Sequence, residues 1–163
     1  MDLELVKSAI SGNRRAIARV LTALENRVFT ISEVKSKFPE LFSRPKSESW
    51  SSIAITGAPG VGKSCLIDKI LIEWSKKGTK TALLAIDPSS PRTGGALLGD
   101  RVRMNNYDGN NDVFIRSMGS QGSLGGLAAK AQTVGDVIAA SGKDYIFFET
   151  VGVGQGEHDI INV

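Results

Sequence analysis

The sequence predicts an α/β fold: a mostly parallel, doubly wound sheet flanked by helices and preceded by an N-terminal helical segment. From residue 52 onward, short apolar runs alternate with longer stretches of helical periodicity, which is the pattern of βαβ units. Before residue 50, apolar residues recur at helical spacing. The length of 163 residues and the 41% hydrophobic content suit one α/β domain. We therefore expect a helical segment over residues 1–50 and the sheet domain over residues 51–163.

Two amphipathic helices are predicted at the start of the chain. One apolar series spans residues 3–10, and a second runs from Ile17 to Val28 after a Ser-Gly-Asn turn. Residues 29–50 contain two prolines and a stretch rich in Ser, Lys and Glu. This composition predicts a short helix followed by a linker.

The predicted sheet has four strands. They lie at residues 53–56, 81–86, 113–115 and 145–149, and the helices between them at residues 63–77, about 96–107 and about 124–141. The last strand reads Tyr-Ile-Phe-Phe before its acidic end, so it is apolar on both faces. A strand of this kind is typical of the centre of a sheet that helices cover on both sides.

Composition excludes several classes of protein. The only cysteine, Cys65, cannot form an intramolecular disulfide, and this favours the reducing cytoplasm. No apolar run approaches the ~20 residues of a membrane span. The net charge is +3, but the basic residues are interspersed with acidic ones and the aromatic residues are scattered. We expect a cytoplasmic protein that binds neither nucleic acid nor a membrane.

The strongest motif is a GxxxxGK[ST] segment placed directly after a predicted strand and directly before a helix. It reads Gly57, Ala58, Pro59, Gly60, Val61, Gly62, Lys63 and Ser64. Glycines in such a loop let backbone N–H groups point at phosphate oxygens, and the helix N-terminus adds its positive end. Lys63 would neutralise the β/γ-phosphates, Ser64 would ligate Mg²⁺, and the amide of Cys65 would meet phosphate. The alternative is a glycine-rich turn with an incidental lysine.

Three acidic residues could complete the Mg²⁺ site. Glu149 ends the apolar strand 145–149, where a Walker B strand delivers its carboxylate. Asp87 follows the strand 81–86, and Asp100 lies shortly after it. Each has a structural alternative: a surface acid at a strand end for Glu149, a turn initiator before Pro88 for Asp87, and an acid on a helix face for Asp100.

The glycine-rich loop at residues 150–157 is a candidate switch. The backbone N–H of Gly152 could sense the γ-phosphate, and Gln155 could position water or be a polar loop residue without a catalytic role. His158 is interpreted as a surface or capping residue. The residues of the polar loop predicted at 117–126 do not indicate a role for it.

The combination of motifs is more specific than the phosphate loop alone. GAPGVGKS, LLAIDPSSPRTGGALLGDRVRM, FIRSMGSQGSLGGLAAK and FFETVGVGQGE together closely resemble the MeaB/ArgK/MMAA family of P-loop GTPases, from about residue 11 to the last residue. The resemblance implies GTP/GDP binding and slow GTP hydrolysis. It also implies a protein that accompanies an adenosylcobalamin-dependent acyl-CoA mutase, gates cofactor loading and protects the holoenzyme.

The resemblance also assigns residues. The family's Mg²⁺-associated acids fall on Asp87, Asp100 and Glu149, and its first and second switches fall on residues 87–103 and 150–157. Cys65 replaces the commoner threonine. Arg92 in the first switch is a candidate arginine finger.

One departure from the family pattern is large. The guanine-reading [NT]KxD segment and the C-terminal dimerisation helices are absent, so we expect a truncated chain of a homodimeric parent. Two rival interpretations stay open: an ATP-dependent kinase or ATPase, as the older ArgK label suggests, and a nucleotide-binding fragment without catalytic activity.

Overall fold

The computed structural model describes residues 2–26, 28–39, 51–87, 112–119 and 126–150. Its centre is a parallel sheet of four strands in the order β1-β4-β2-β3. The strands are β1 (Ser51–Ile55), β2 (Thr81–Asp87), β3 (Val113–Gly119) and β4 (Tyr145–Thr150). The helices are α1 (Leu3–Ile10), α2 (Arg14–Glu25), α3 (Ile31–Lys37), α4 (Lys63–Lys76) and α5 (Gly126–Ala140). The predicted α/β class and all four predicted strands are confirmed.

Several element boundaries differ from the prediction: β1 spans Ser51–Ile55 rather than residues 53–56, and residues 117–119 belong to β3 rather than to the predicted loop at 117–126. β3 continues to Gly119 rather than stopping at residue 115, because it pairs with β2 along its whole length, up to the pair of Asp87 and Gly119. α2 ends at Glu25, so Val28 is not part of its apolar face and is 70% exposed. The helix predicted at residues 96–107 lies outside the described residues.

Side-chain caps explain where the N-terminal helices begin. Asp2 and Asn13 each accept a hydrogen bond from a backbone N–H in the first turn of the helix that follows. Thr30 and Glu33 form a reciprocal capping box at the start of α3. These short polar side chains fix the helix starts that the apolar spacing alone located only approximately.

Helices cover both faces of the sheet, and β4 separates two apolar clusters. On one face, Phe147 packs with Ile67 and Leu71 of α4. On the other face, Ile146 and Phe148 join a cluster that includes buried residues of α1, α2, α3 and α5. The predicted central position of this strand is therefore confirmed: β4 lies between β1 and β2, and its alternate side chains are buried on opposite faces.

A buried arginine connects β3 to α2. The guanidinium of Arg116 donates to the Ala18 carbonyl oxygen at 2.9 Å and to Thr22 Oγ1 at 3.2 Å, and it also donates to the Glu25 carboxylate. Thus the N-terminal helices contact the sheet through polar as well as apolar groups.

The division of the chain near residue 50 stays a prediction. Within the described residues, no helix has the length and apolar character needed to span a bilayer.

Candidate functional site

The phosphate-loop motif forms the connection between β1 and α4. Gly57, Gly60 and Gly62 have φ angles of +140°, +81° and +95°, which residues with a Cβ rarely adopt. Gly62 is also the residue that precedes α4, and its left-handed backbone turns the chain into the helix. The three glycines therefore shape the loop, while Ala58, Pro59 and Val61 between them are exposed.

Lys63 folds back onto this loop. Its Nζ donates to the carbonyl oxygen of Gly57 at 2.6 Å and to that of Ala58 at 3.0 Å. An ammonium group has three N–H donors, and these two bonds use two of them. The positive charge is thus held against the loop whose residues the motif assigns to phosphate, which is the place that the sequence predicted for it.

Ser64 meets Glu149 at the edge of the sheet. The Ser64 hydroxyl donates to Glu149 Oε1 at 2.5 Å, and both side chains are half-buried. β4 pairs with β1 so that Glu149 lies opposite Ile55, which is the last residue of β1 before the loop. The structure therefore brings together the two residues that the sequence proposed as ligands of one metal ion.

This pair has the chemistry that Mg²⁺ requires. The ion prefers oxygen ligands, takes one or two carboxylates from a protein and keeps several waters. A hydroxyl and a carboxylate in contact match that description. Among the described residues, no cluster of three or more His, Cys, Asp or Glu is arranged to bind a metal by protein groups alone.

The remaining candidate residues are placed only in part. Asp87 is the last residue of β2, directly after the pair of Ile86 and Thr150, so its backbone lies at the same sheet edge as Glu149. Its side chain lies outside the described part. Cys65 lies in the first turn of α4 with an exposed thiol. Four further candidates lie outside the described residues: Asp100, Gly152, Gln155 and Arg92.

Comparison with known proteins places this arrangement in a family. The family model described as "Methylmalonyl Co-A mutase-associated GTPase MeaB" matches residues 17–163. A Pyrococcus abyssi protein whose name assigns it to the GTPases is 47% identical over 158 residues, which are 97% of this chain and 47% of that protein. The mitochondrial methylmalonic aciduria type A homolog of Caenorhabditis elegans is 34% identical over 167 residues, covering 96% of this chain and 42% of that protein.

A solved structure shows the same fold. The crystal structure of an LAO/AO transport system kinase superposes with a TM-score of 0.66 at 25% sequence identity, covering 97% of this chain and 45% of that one. The fold is that of a P-loop NTPase. The chain spans about half the length of the curated relatives it matches. Because the family model matches residues 17–163, which are well over half of the chain, this chain belongs to the family of methylmalonyl-CoA mutase-associated GTPases, MeaB.

Proposed function

We propose that this chain forms the phosphate-binding and Mg²⁺-binding part of a slow GTPase that assists an adenosylcobalamin-dependent acyl-CoA mutase, gating cofactor loading and protecting the loaded enzyme. The observation that carries the nucleotide part is the 2.5 Å hydrogen bond between Ser64 and Glu149 beside the Lys63 loop. The family's name supports the mutase as partner. We propose the cytoplasm as the compartment and a homodimer as the state of the whole protein.

Backbone groups and the Lys63 side chain of the loop would bind different parts of the triphosphate. Backbone N–H groups of residues 57–64, except Pro59, which has none, would donate to phosphate oxygens, and the N–H of Cys65 in the first turn of α4 would add another donor. The ammonium of Lys63 donates to the carbonyl oxygens of Gly57 and Ala58 in this structure. Because its side chain is flexible, the ammonium would turn from these carbonyls to the β/γ-phosphate oxygens when a triphosphate binds. The amides would stabilise the negative charge of the triphosphate by hydrogen bonding, and Lys63 would partly neutralise it.

Ser64 and Glu149 would hold Mg²⁺, and Asp87 and Asp100 would join its shell directly or through water. A Mg²⁺ ion held by these residues would supply positive charge that stabilises the charge developing on the phosphates. The Gly152 amide would contact the γ-phosphate and Gln155 would orient the attacking water, as the family resemblance implies for these positions. Asp100, Gly152 and Gln155 lie outside the described residues, so their roles depend on the resemblance alone.

The reaction needs positioning more than covalent chemistry. Water attacks the γ-phosphorus, the bond to the β-phosphate oxygen breaks, and the chain stabilises the charge on the departing GDP and phosphate. Lys63 and the loop amides supply that stabilisation. Without an assigned arginine finger, the rate should be low until the mutase partner binds.

Competition binding tests the nucleotide assignment. A fluorescent GTP analogue would be titrated with Mg²⁺ and displaced by GTP, GDP or ATP, using the chain, its Lys63→Ala variant and a Lys69→Ala control. Lys69 is an exposed lysine of the same helix. We expect GTP to displace better than ATP, and Lys63→Ala to weaken binding by at least about tenfold because it removes a charge-assisted contact. Equal displacement by ATP would contradict the guanine assignment and favour the ATP-dependent kinase or ATPase.

Hydrolysis and partner binding test the rest of the proposal. Single-turnover release of phosphate from GTP should be slow and should be abolished in Lys63→Ala. Addition of a purified adenosylcobalamin-dependent acyl-CoA mutase should increase the rate. Nucleotide binding without any phosphate release, alone or with the mutase, would instead identify this chain as a non-catalytic binding module.

A further inference from the structure

A polar cavity of about 790 Å³ lies at the edge of the sheet opposite the phosphate loop. The loop follows the carboxyl end of β1, whereas the cavity is lined by residues that precede strands: Lys80 before β2, Asp112 before β3 and Lys143 shortly before β4. Arg14 and Arg15, at the start of α2, form another part of the lining. We call this feature the basic cavity.

The described lining of the basic cavity carries a strong excess of positive charge. It contains the four cationic side chains of Arg14, Arg15, Lys80 and Lys143, against the single carboxylate of Asp112. These cations come from positions far apart in the sequence, where acidic residues intervene. Folding therefore concentrates basic residues that are interspersed with acidic ones along the chain. A concave surface lined by one sign of charge raises the local concentration of oppositely charged ligands.

Lys143 places one of these charges in a poorly hydrated position. The residue is only 6% exposed. Burial lowers the pKa of Lys143, the nearby carboxylates of Asp112 and Asp144 oppose this, and the positive charges of Lys80 and Arg14 add to it. The two carboxylates offset only part of this cost, so the charged form of Lys143 is less favourable in the fold than in water. An anion in the cavity would offset both the burial and the repulsion.

The walls of the basic cavity are held by backbone contacts. The N–H of Asp144 donates to the carbonyl oxygen of Lys80 at 2.9 Å, which ties the segment before β4 to the segment before β2. The turns that contain Gly12 and Gly142 both use left-handed backbone. They also lie near each other, since a Cβ added to Gly12 would come within van der Waals distance, 3.8 Å, of the Ser141 carbonyl oxygen. The cationic residues therefore project from a pre-formed framework, which lowers the entropic cost of binding.

We propose that the basic cavity binds a small phosphate-bearing anion through Arg14, Arg15, Lys80 and Lys143. Its volume is within the range of small-molecule sites, and arginine guanidinium groups match phosphate oxygens in bidentate geometry. The site is separate from the phosphate loop because it lies at the opposite sheet edge. It does not depend on the proposed GTPase function.

Pyrophosphate is a suitable probe, and its binding to the phosphate loop must be removed first. Calorimetric titrations at about 0.15 M ionic strength, where long-range attraction is largely screened, would use the chain with Lys63→Ala. On that background, Arg15→Gln combined with Lys80→Gln removes two exposed cavity cations. Arg19→Gln combined with Lys77→Gln removes two exposed cations outside the lining and is the matched control.

We expect saturable pyrophosphate binding to the Lys63→Ala chain, weakened about tenfold or more by the cavity pair and changed less than about twofold by the control pair. Circular dichroism would verify that both pairs keep the fold. The proposal is overturned if the Lys63→Ala chain shows no saturable binding, or if both pairs weaken it equally. GTP binding measured on Arg15→Gln with Lys80→Gln, with Lys63 intact, should be unchanged, and this separates the two proposals.

Discussion

The hydroxyl of Ser64 and the carboxylate of Glu149 are in direct contact although 85 residues separate them in the chain. The contact exists because β4 lies beside β1 in parallel register, with Glu149 opposite Ile55, and because α4 begins only eight residues after Ile55. A central strand and the first turn of a helix therefore meet at one point. The two oxygen ligands of the proposed Mg²⁺ site are brought together by the fold itself.

Replacing the carboxylate tests this pair directly. Glu149→Gln keeps the shape of the side chain and removes its negative charge, so we expect the gain in GTP affinity on adding Mg²⁺ to fall by about tenfold or more. Binding without Mg²⁺ should change less, because the loop and Lys63 stay in place. Nucleotide titrations with and without Mg²⁺ measure the difference. Glu73→Gln, on the exposed side of α4, is the matched control. A Mg²⁺ effect that persists in Glu149→Gln would exclude this residue from the metal site.

The loop glycines should affect binding in addition to stability. Gly60 and Gly78 both have positive φ, at +81° and +72°, and both have open space where a Cβ would stand. Gly60→Ala and Gly78→Ala should therefore each lower the free energy of unfolding by about 1–2 kcal/mol, the cost of left-handed backbone for a residue with a Cβ. Only Gly60→Ala should also weaken GTP binding. Urea unfolding and nucleotide titration of both variants check this, and equal affinities would contradict the role of the loop.

Much of this architecture could be predicted because local signals agree with the fold. Phe147 and Phe148 are buried on opposite faces of β4, as a run apolar on both faces requires of a central strand. Lys63 and Ser64 lie where a phosphate loop between strand and helix places them. In β4 the run of apolar residues predicts a central strand, and between β1 and α4 the GxxxxGK[ST] motif predicts a loop followed by a helix; the structure has both.

The features that escaped prediction depend on partners distant in sequence. The length of β3 is set by pairing with β2, and nothing within residues 116–119 reveals that partner. The basic cavity was missed because Arg15, Lys80 and Lys143 are far apart in the chain, and their meeting follows only from strand order and helix placement. Interspersion of basic and acidic residues along a sequence therefore does not exclude a charged surface.

The buried Arg116 should contribute strongly to stability. Arg116→Met removes three hydrogen bonds to α2 and leaves the carboxylate of Glu25 without its partner, so we expect a loss of about 2–4 kcal/mol in the free energy of unfolding. Glu25→Gln should cost less, since Glu25 is more exposed than Arg116 and the other two bonds persist.

Urea unfolding of the two single variants and the double variant gives the coupling between these residues. Arg19→Met, at an exposed position of α2, is the control for loss of a positive charge. If Arg116→Met unfolds at the same urea concentration as the control, the contact between β3 and α2 does not stabilise the fold.

Lys143 should make stability depend on alkaline pH. Burial lowers its pKa from the ordinary value of 10.5, so near neutral pH the folded state holds a charged ammonium that is better solvated in the unfolded chain. This penalty is full below the lowered pKa. As pH rises through that pKa, the folded state releases its proton while the unfolded chain still retains one, and the penalty decreases until pH exceeds the ordinary value.

The free energy of unfolding of the wild type should therefore increase relative to that of Lys143→Met as pH rises from about 7 to about 11, past the ordinary pKa of 10.5. The full increase corresponds to about 1.4 kcal/mol for each pH unit by which the pKa is lowered. Urea unfolding at both pH values measures the change, and Lys69→Met, which replaces an exposed lysine of α4, is the control for loss of a lysine. Pyrophosphate should reduce the difference, because an anion in the basic cavity favours the protonated amine and raises its pKa. A difference between wild type and Lys143→Met that stays constant with pH would show that the ammonium is as well solvated in the fold as in the unfolded chain.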